Sequence, residues 1–140
     1  MNFFRVGNEM YLTDLPGYGF ARVSESVRRG WERLVTSYLV GREPLALCVF
    51  IVDARHPPME GDERLREWLD HEGLPYRIVA TKADKIGKGE VVRKVAALQS
   101  WAPAARQVAA VSAPEGRGID ALWKGIRESA AEWRVRRTEG

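Results

Sequence analysis

A threonine, a lysine and an aspartate stand together where an apolar stretch ends, in the sequence Thr81-Lys82-Ala83-Asp84. The carboxylate of Asp84 can accept two hydrogen bonds at once, from a ring N–H and from the exocyclic amine beside it. Guanine offers that pair of donors and adenine does not. The methylene stem of Lys82 can lie across a purine face while its ammonium stays hydrated, and Thr81 can anchor the loop through its hydroxyl. The four residues predict a guanine-specific clamp, with a charged surface loop as the alternative.

A second group of this kind lies near the N-terminus, in the sequence Asp14-Leu15-Pro16-Gly17. Asp14 ends an apolar strand, where a carboxylate can hold the water shell of Mg²⁺. The backbone N–H of Gly17 can face a terminal phosphate, because glycine lets the chain come close to a ligand. The segment is therefore predicted to sense phosphate and magnesium, with an Asp-Pro-Gly turn of no special function as the alternative.

Small residues end a later apolar stretch, at Val111, Ser112 and Ala113. Short side chains let a backbone approach a planar ligand, so this stretch is predicted to direct backbone N–H groups toward the carbonyl of the base. The order of the three groups along the chain strengthens the interpretation. The aspartate turn comes first, then a helix, a buried strand and a second helix, and only then the clamp and the small-residue strand end.

The elements that position these groups alternate between short apolar runs and helical periodicity. Two strands in residues 2–6 and 9–14, joined by a Gly-Asn turn, predict an antiparallel hairpin. Three more strands are predicted in 45–53, 76–81 and 107–113, the first of them buried on both faces of a parallel sheet. Helices are predicted from the N-cap Ser24 onward and over about 60–71, 89–100 and 119–134. The alternation predicts an α/β sheet with crossover helices, whose ligands bind beyond the carboxyl ends of the strands.

Composition narrows the class of protein. The chain has 140 residues, 45% of them hydrophobic, and a formal net charge of +3 with a pI near 9.2. These values predict one compact domain, and the mild basic balance permits an RNA partner without demanding one. No apolar run reaches the roughly 20 residues of a membrane span, so we expect a cytoplasmic protein without a membrane partner. The single cysteine, Cys48, lies in an apolar run and is predicted to be a core residue.

Taken together, these segments resemble the EngB-type GTPases (also called YihA or YsxC), which assist assembly of the large ribosomal subunit. The resemblance rests on DLPGYGFA at 14–21, VDARHPP at 52–58, ATKADKI at 80–86 and VSA at 111–113. It implies a P-loop GTPase-like three-layer sandwich with a mostly parallel sheet and an N-terminal antiparallel hairpin. It also implies binding of GTP and GDP, Mg²⁺ as cofactor, contacts with the large subunit and its rRNA, a role in cell division or septation, and a monomer. By the resemblance, the GTP-binding residues are Asp14, Leu15, Pro16, Gly17, Thr81, Lys82, Ala83, Asp84, Val111, Ser112 and Ala113, with Asp14 contacting magnesium through water.

The 140 residues depart from the family's pattern in one respect. Members carry a phosphate-binding loop, G-x-x-x-x-G-K-[ST], and no glycine of this sequence is followed by that pattern. We therefore expect a single G domain that corresponds to the C-terminal two-thirds of a family member, without the first strand and the phosphate-loop helix, and weak binding of GTP. Tyr18 stands where many GTPases carry a glutamine that orients the attacking water, so no catalytic residue is assigned.

Two other functions stay open on the sequence. A nucleotide-poor module could bind RNA or protein through basic residues, namely Arg28, Arg29, Arg33, Arg134, Arg136 and Arg137. A receiver-type phosphoacceptor would use Asp14 or Asp53, but receivers gather several carboxylates around a metal. An acid–base pair of Asp53 and His56 is a further alternative to a rigid turn at Pro57 and Pro58.

Overall fold

The computed structural model describes residues 1–15, 17 and 24–139, and these fall into two compact units. The first unit comprises residues 1–45 and the second begins at Ala46. In the described part of the chain, none of the helices combines the length and the apolar character that crossing a membrane requires.

The first unit opens with the predicted hairpin. Strand β1 (Asn2–Val6) pairs antiparallel with β2 (Met10–Asp14), so that Asn2 lies opposite Asp14. The connection is tight because Gly7 adopts the left-handed region with φ 53°, which an L side chain disfavours. The register places Asp14 at the last paired position of β2.

Helix α1 (Glu25–Leu39) follows within the same unit. The predicted N-cap is confirmed, because Ser24 Oγ accepts a hydrogen bond from the N–H of Val27 at 3.3 Å. The helix is held to the hairpin through Tyr38, whose hydroxyl lies 2.8 Å from Thr13 Oγ1 and whose ring lies 6.2 Å from that of Phe3.

The second unit is built on a parallel sheet of three strands in the order β3-β4-β5. These are β3 (Cys48–Asp53), β4 (Tyr76–Thr81) and β5 (Val108–Ala110). The central strand carries the core, since Ile78, Val79 and Ala80 are almost completely buried. The register aligns Asp53 with Thr81, so the polar residues that end β3 and β4 lie side by side.

Three helices accompany these strands: α2 (Glu60–Glu72), α3 (Lys88–Trp101) and α4 (Ile119–Glu139). The predicted stop of α2 is confirmed, because Gly73 caps it in the left-handed conformation. Trp101 at the end of α3 meets Phe50 of β3 edge-on at 6.1 Å, and Arg77 of β4 donates a 3.2 Å hydrogen bond to the buried Ser129 of α4.

The predicted α/β class with a parallel sheet and an antiparallel hairpin is confirmed, while several details differ. Strand β3 was expected to be buried on both faces, and this is wrong for Val49 and Ile51, which are 38% and 57% exposed. Val49 and Ile51 share one face of β3, whereas Phe50 and Val52 on the other face are buried, so the strand is buried on one face only. Strands β3 and β5 are shorter than predicted, and α4 continues five residues beyond Arg134, to Glu139. Cys48, predicted to be a core residue, is only partly buried, and this partial burial raises the pKa of its thiol to about 11.

Candidate functional site

In the first unit, the predicted phosphate and magnesium segment follows β2. Asp14 is exposed at the end of the strand, Leu15 is half-buried and Gly17 is exposed. Pro16 lies outside the described residues, as do Tyr18 to Val23. The carboxylate of Asp14 is therefore accessible to a hydrated cation.

The donor set available for Mg²⁺ is small. Among the described residues, no group of three or more His, Cys, Asp or Glu side chains is arranged to hold a metal ion. Magnesium requires near-ideal octahedral coordination and usually keeps several waters. Asp14 by itself fits a water-mediated contact with the ion.

In the second unit, the residues of the predicted clamp lie in the loop after β4. Thr81 Oγ1 donates to the carbonyl of Val52 at 3.1 Å, which anchors the start of the loop to the neighbouring strand. A short 3₁₀ turn over Ala83–Lys85 follows, and the N–H of Ala83 donates to the carbonyl of Val111 at 3.1 Å. The loop is thus tied to β3 on one side and to the end of β5 on the other.

Lys82 has an uncommon backbone conformation. Among the described residues other than glycine, it alone has a positive φ, at 62° with ψ 34°. For an L-residue this left-handed geometry costs about 1 kcal/mol. A strained backbone conformation persists where the surrounding structure fixes it. Here the hydrogen bonds of Thr81 and Ala83 to the neighbouring strand ends fix the loop.

Asp84 is the best-defined side chain of the site. Its Oδ1 accepts a hydrogen bond from Ser112 Oγ at 2.9 Å, and only 12% of the side chain is exposed. The hydrogen bond from Ser112 is the main cause that holds the pKa of the Asp84 carboxyl below its usual range, and the charges of Lys85 and Arg117 act in the same direction. Oδ2 lies 3.8 Å from Lys85 Nζ, too far for a hydrogen bond. The carboxylate is therefore ionised and fixed, and it keeps lone pairs for two further donors.

The strand end at 111–113 adjoins this carboxylate but uses much of its own hydrogen-bonding capacity within the chain. The N–H of Val111 donates to the carbonyl of Ala80 at 2.8 Å, and the N–H of Ser112 donates to the carbonyl of Arg117 at 2.9 Å. Ala113 is exposed. The N–H groups of Val111 and Ser112 are therefore engaged within the chain, and an N–H contact with the base stays a prediction for Ala113.

A second carboxylate lies at the end of β3 and was not assigned to the site from the sequence. Asp53 accepts hydrogen bonds from the backbone N–H of Arg55 at 2.9 Å and from its guanidinium at 2.8 Å, and Lys82 Nζ lies 3.3 Å from Asp53 Oδ2. The hydrogen bonds from Arg55 hold the pKa of the Asp53 carboxyl far below its usual range. The alternative pairing with His56 is not formed by these side chains, because the carboxylate of Asp53 faces Arg55 and Lys82.

Comparison with known proteins finds relatives of this chain. No family model matches it. A probable GTP-binding protein EngB of Syntrophus aciditrophicus is 40% identical over 134 residues, which cover 96% of this chain and 68% of that protein. This chain belongs to the EngB family. The family's protein from Symbiobacterium thermophilum is 43% identical over 143 residues, and the one from Chlorobaculum parvum is 41% identical over 122 residues.

The match covers most of this chain and a smaller share of its EngB relatives. The chain spans 57% of the Symbiobacterium protein and 64% of the Chlorobaculum protein.

Solved structures agree on the fold of this EngB member. The crystal structure of a probable GTP-binding protein EngB superimposes with a TM-score of 0.75 at 20% identity, over 94% of this chain and 83% of that one. Era from Aquifex aeolicus, in a structure with GDP and AlF4⁻, gives a TM-score of 0.72 at 21% identity over 91% of this chain and 42% of Era. The predicted P-loop GTPase fold is confirmed.

Two side-chain contacts of this EngB chain were not predicted from its sequence. Ser112 was predicted to offer its backbone, whereas its hydroxyl holds Asp84. Arg55 and Asp53 were treated as parts of a turn, whereas they form an ion pair that reaches Lys82. The Ser112–Asp84 and Lys82–Asp53 contacts join the carboxyl ends of neighbouring strands, so they depend on the sheet order β3-β4-β5.

Proposed function

We propose that this chain recognises the guanine base of GTP and GDP through Asp84 and Lys82. The observation that carries the proposal is the hydrogen bond from the fully buried Ser112 to Asp84, which fixes an ionised carboxylate at the carboxyl end of the sheet. The ring N–H and the exocyclic amine of guanine would donate to this carboxylate. The stem of Lys82 would lie against the base, with Thr81 and Ala83 holding the loop and with Val111 to Ala113 lining its far side.

As the family resemblance implies, we propose that the segment from Asp14 to Gly17 contacts phosphate and Mg²⁺. Asp14 would contact the water shell of Mg²⁺, and the N–H of Gly17 would face the terminal phosphate. When bound, Mg²⁺ neutralises charge on the phosphate oxygens. Among the described residues, Asp14 is the one carboxylate proposed to contact the ion, and no group of three or more metal-binding side chains accompanies it. No catalytic residue is therefore assigned.

Residues 1–140 by themselves should bind GTP weakly. In P-loop NTPases a lysine, a hydroxyl and a row of backbone N–H groups in the phosphate loop bind the β- and γ-phosphates, and this sequence contains no G-x-x-x-x-G-K-[ST] pattern. What the clamp adds is selectivity for the base.

The proposal is tested by titrating residues 1–140 with GDP, GTP and ADP in the presence of Mg²⁺. Calorimetry measures the affinities, and NMR shifts report on the clamp residues. We expect dissociation constants above about 10 μM for each nucleotide, with GDP bound at least ~10-fold more tightly than ADP. Equal affinity for GDP and ADP would contradict the guanine clamp. A submicromolar affinity for GTP would contradict the claim of weak binding.

By resemblance to the family, we propose further that the whole protein acts as a cytoplasmic monomer in assembly of the large ribosomal subunit, with a link to septation. Exposed arginines near the end of α4, at Arg134, Arg136 and Arg137, offer charge for rRNA phosphates. The fold neighbour Era has been crystallised with MgGDPNP and a segment of 16S ribosomal RNA, at 21% identity to this chain.

Salt dependence of binding to large-subunit rRNA tests this partner. The pair of changes R136Q and R137Q should weaken binding and should lower the slope of log K against log salt by as much as about 1.4 to 1.8 if both residues contact phosphates. The matched control R64Q removes an exposed arginine paired with Glu60 on α2 and should leave the slope unchanged. The same slope in the unchanged chain, in the R136Q and R137Q double variant and in R64Q would contradict an RNA contact at this end of α4.

The alternative is a nucleotide-poor module that binds RNA or protein through the same basic surface. It predicts RNA binding without any difference between GDP and ADP. The two titrations together separate it from a guanine-nucleotide protein.

A further inference from the structure

Two cationic side chains meet one carboxylate at the carboxyl edge of the sheet. Arg55 donates to Asp53 through its backbone N–H at 2.9 Å, through Nε at 3.1 Å and through the terminal guanidinium nitrogen at 2.8 Å. Lys82 Nζ lies 3.3 Å from Asp53 Oδ2. The carboxylate is therefore held in one orientation by Arg55, and it presents an oxygen to the ammonium of Lys82.

The register of the sheet explains why Lys82 lies close to Asp53. Asp53 of β3 lies opposite Thr81 of β4, and the N–H of Ala54 donates to the carbonyl of Thr81 at 2.8 Å. Lys82 directly follows this pair, and its left-handed backbone turns the chain at that point. The reach from Lys82 back to Asp53 is thus short, and it is fixed by backbone hydrogen bonds on both strands.

The proposed contact with a base requires the side chain of Lys82 to point in one direction. The side chain of Lys82 is 54% exposed, and a free lysine side chain samples many rotamers, so ordering it opposes binding. An ion pair this exposed adds little to the stability of the fold, since water screens it. Its effect is on the direction of the side chain rather than on folding.

We propose that Asp53, oriented by Arg55, is a positioning residue that holds Lys82 in place for contact with the purine face of the nucleotide. The proposal rests on the proposed recognition of guanine by Lys82 and Asp84. Asp53 itself contacts neither the base nor the phosphates in this account, and it acts through Lys82. Because Lys82 meets a face that all purines share, Asp53 should affect affinity for purine nucleotides in general, whereas Asp84 should affect the choice between guanine and adenine.

The experiment is a double-mutant cycle on GDP binding with Asp53→Asn, Lys82→Met and the combination. We expect D53N to weaken GDP by about 5-fold and ADP by a similar factor, so that their ratio stays within ~2-fold of the unchanged chain. In the K82M background D53N should have no further effect. The control E132Q, which removes the exposed partner of Arg106 on α4, should leave both affinities unchanged.

A second measurement concerns the free protein and needs no nucleotide. The two ε-methylene protons of Lys82 should give separate NMR resonances, because the ammonium is held in one direction. D53N should merge the two resonances and E132Q should not.

The outcomes decide between the two claims. Any one of three results would overturn the positioning role. D53N could bind GDP as tightly as the unchanged chain, its effect could be undiminished in the K82M background, or the resonances of Lys82 could fail to respond to D53N. Equal binding of GDP and ADP by the unchanged chain would instead overturn the guanine clamp, while a common loss on D53N and the merged resonances would still support positioning. Absence of any purine nucleotide binding would overturn both claims.

Discussion

At the scale of single residues, the proposed recognition of guanine depends on Asp84 and on the hydroxyl of Ser112 that holds it. A carboxylate can recognise guanine only while it is ionised and correctly turned, and the hydrogen bond from Ser112 serves both conditions. Since the pKa of Asp84 is lowered in the folded chain, the ionised clamp should persist below the ordinary pKa of an aspartate. It is lost as the pH falls through the lowered value.

Ser112→Ala should therefore weaken the clamp and change its pH dependence. Without the hydroxyl donor the pKa of Asp84 rises toward its ordinary value, so GDP binding should begin to fail at a higher pH, and affinity at pH 7 should drop about 5-fold. Titration of the Asp84 carboxyl carbon by NMR, with GDP binding measured across the same pH range, checks both effects.

A matched control removes a hydroxyl elsewhere. Ser37 Oγ donates to the carbonyl of Leu34 on the exposed side of α1, so Ser37→Ala loses a comparable bond in the other unit. It should leave the titration of Asp84 unchanged. An unaltered Asp84 pKa in the Ser112 variant would show that the hydroxyl does not tune the carboxylate.

The chemistry of this site was only partly predictable from the sequence at this scale. Thr81, Lys82 and Asp84 could be recognised because their residue types suit a base and follow an apolar strand. The hydroxyl of Ser112 and the carboxylate of Asp53 gain their roles from side chains on neighbouring strands, and such pairs depend on sheet order and register. A linear pattern does not encode that register.

At the scale of elements, local chemistry predicted the ends of helices better than the faces of strands. Ser24 and Gly73 mark helix ends through their own hydrogen-bonding and conformational preferences, and the structure has both as predicted. The apolar run of β3 predicted burial on both faces, whereas Val49 and Ile51 are exposed. Burial depends on which elements lie beside a strand, and that information is not local.

The loop between β5 and α4 provides an element-scale prediction. Gly118 has φ 77°, and a Cβ on it would lie 2.5 Å from the carbonyl oxygen of Ala110, which is backbone and cannot move aside cheaply. Gly118→Ala should therefore lower the free energy of unfolding by about 3 kcal/mol. Denaturant titration of the variant measures the loss.

Gly116 is the control for backbone conformation alone. It has φ 66° and open space around an added Cβ, so Gly116→Ala should cost only about 1 kcal/mol. Equal losses in the two variants would mean that the close approach of Gly118 to Ala110 does not constrain this loop.

At the scale of the whole molecule, the sequence predicted the family and the α/β class, and it did not predict two units divided at residue 45. That residues 1–140 form a single EngB-type G domain stays a prediction. The predicted base clamp lies within the second unit and the predicted phosphate segment within the first.

The most direct test of the guanine clamp exchanges the base that the chain prefers. Xanthine carries a carbonyl where guanine carries its exocyclic amine, so Asp84→Asn, which replaces an acceptor by an amide donor, should favour it. We predict that the unchanged chain binds GDP at least ~10-fold more tightly than xanthosine diphosphate, and that D84N reverses the order while E132Q does not. Binding measured by NMR titration that keeps the same preference for GDP in D84N would contradict the account.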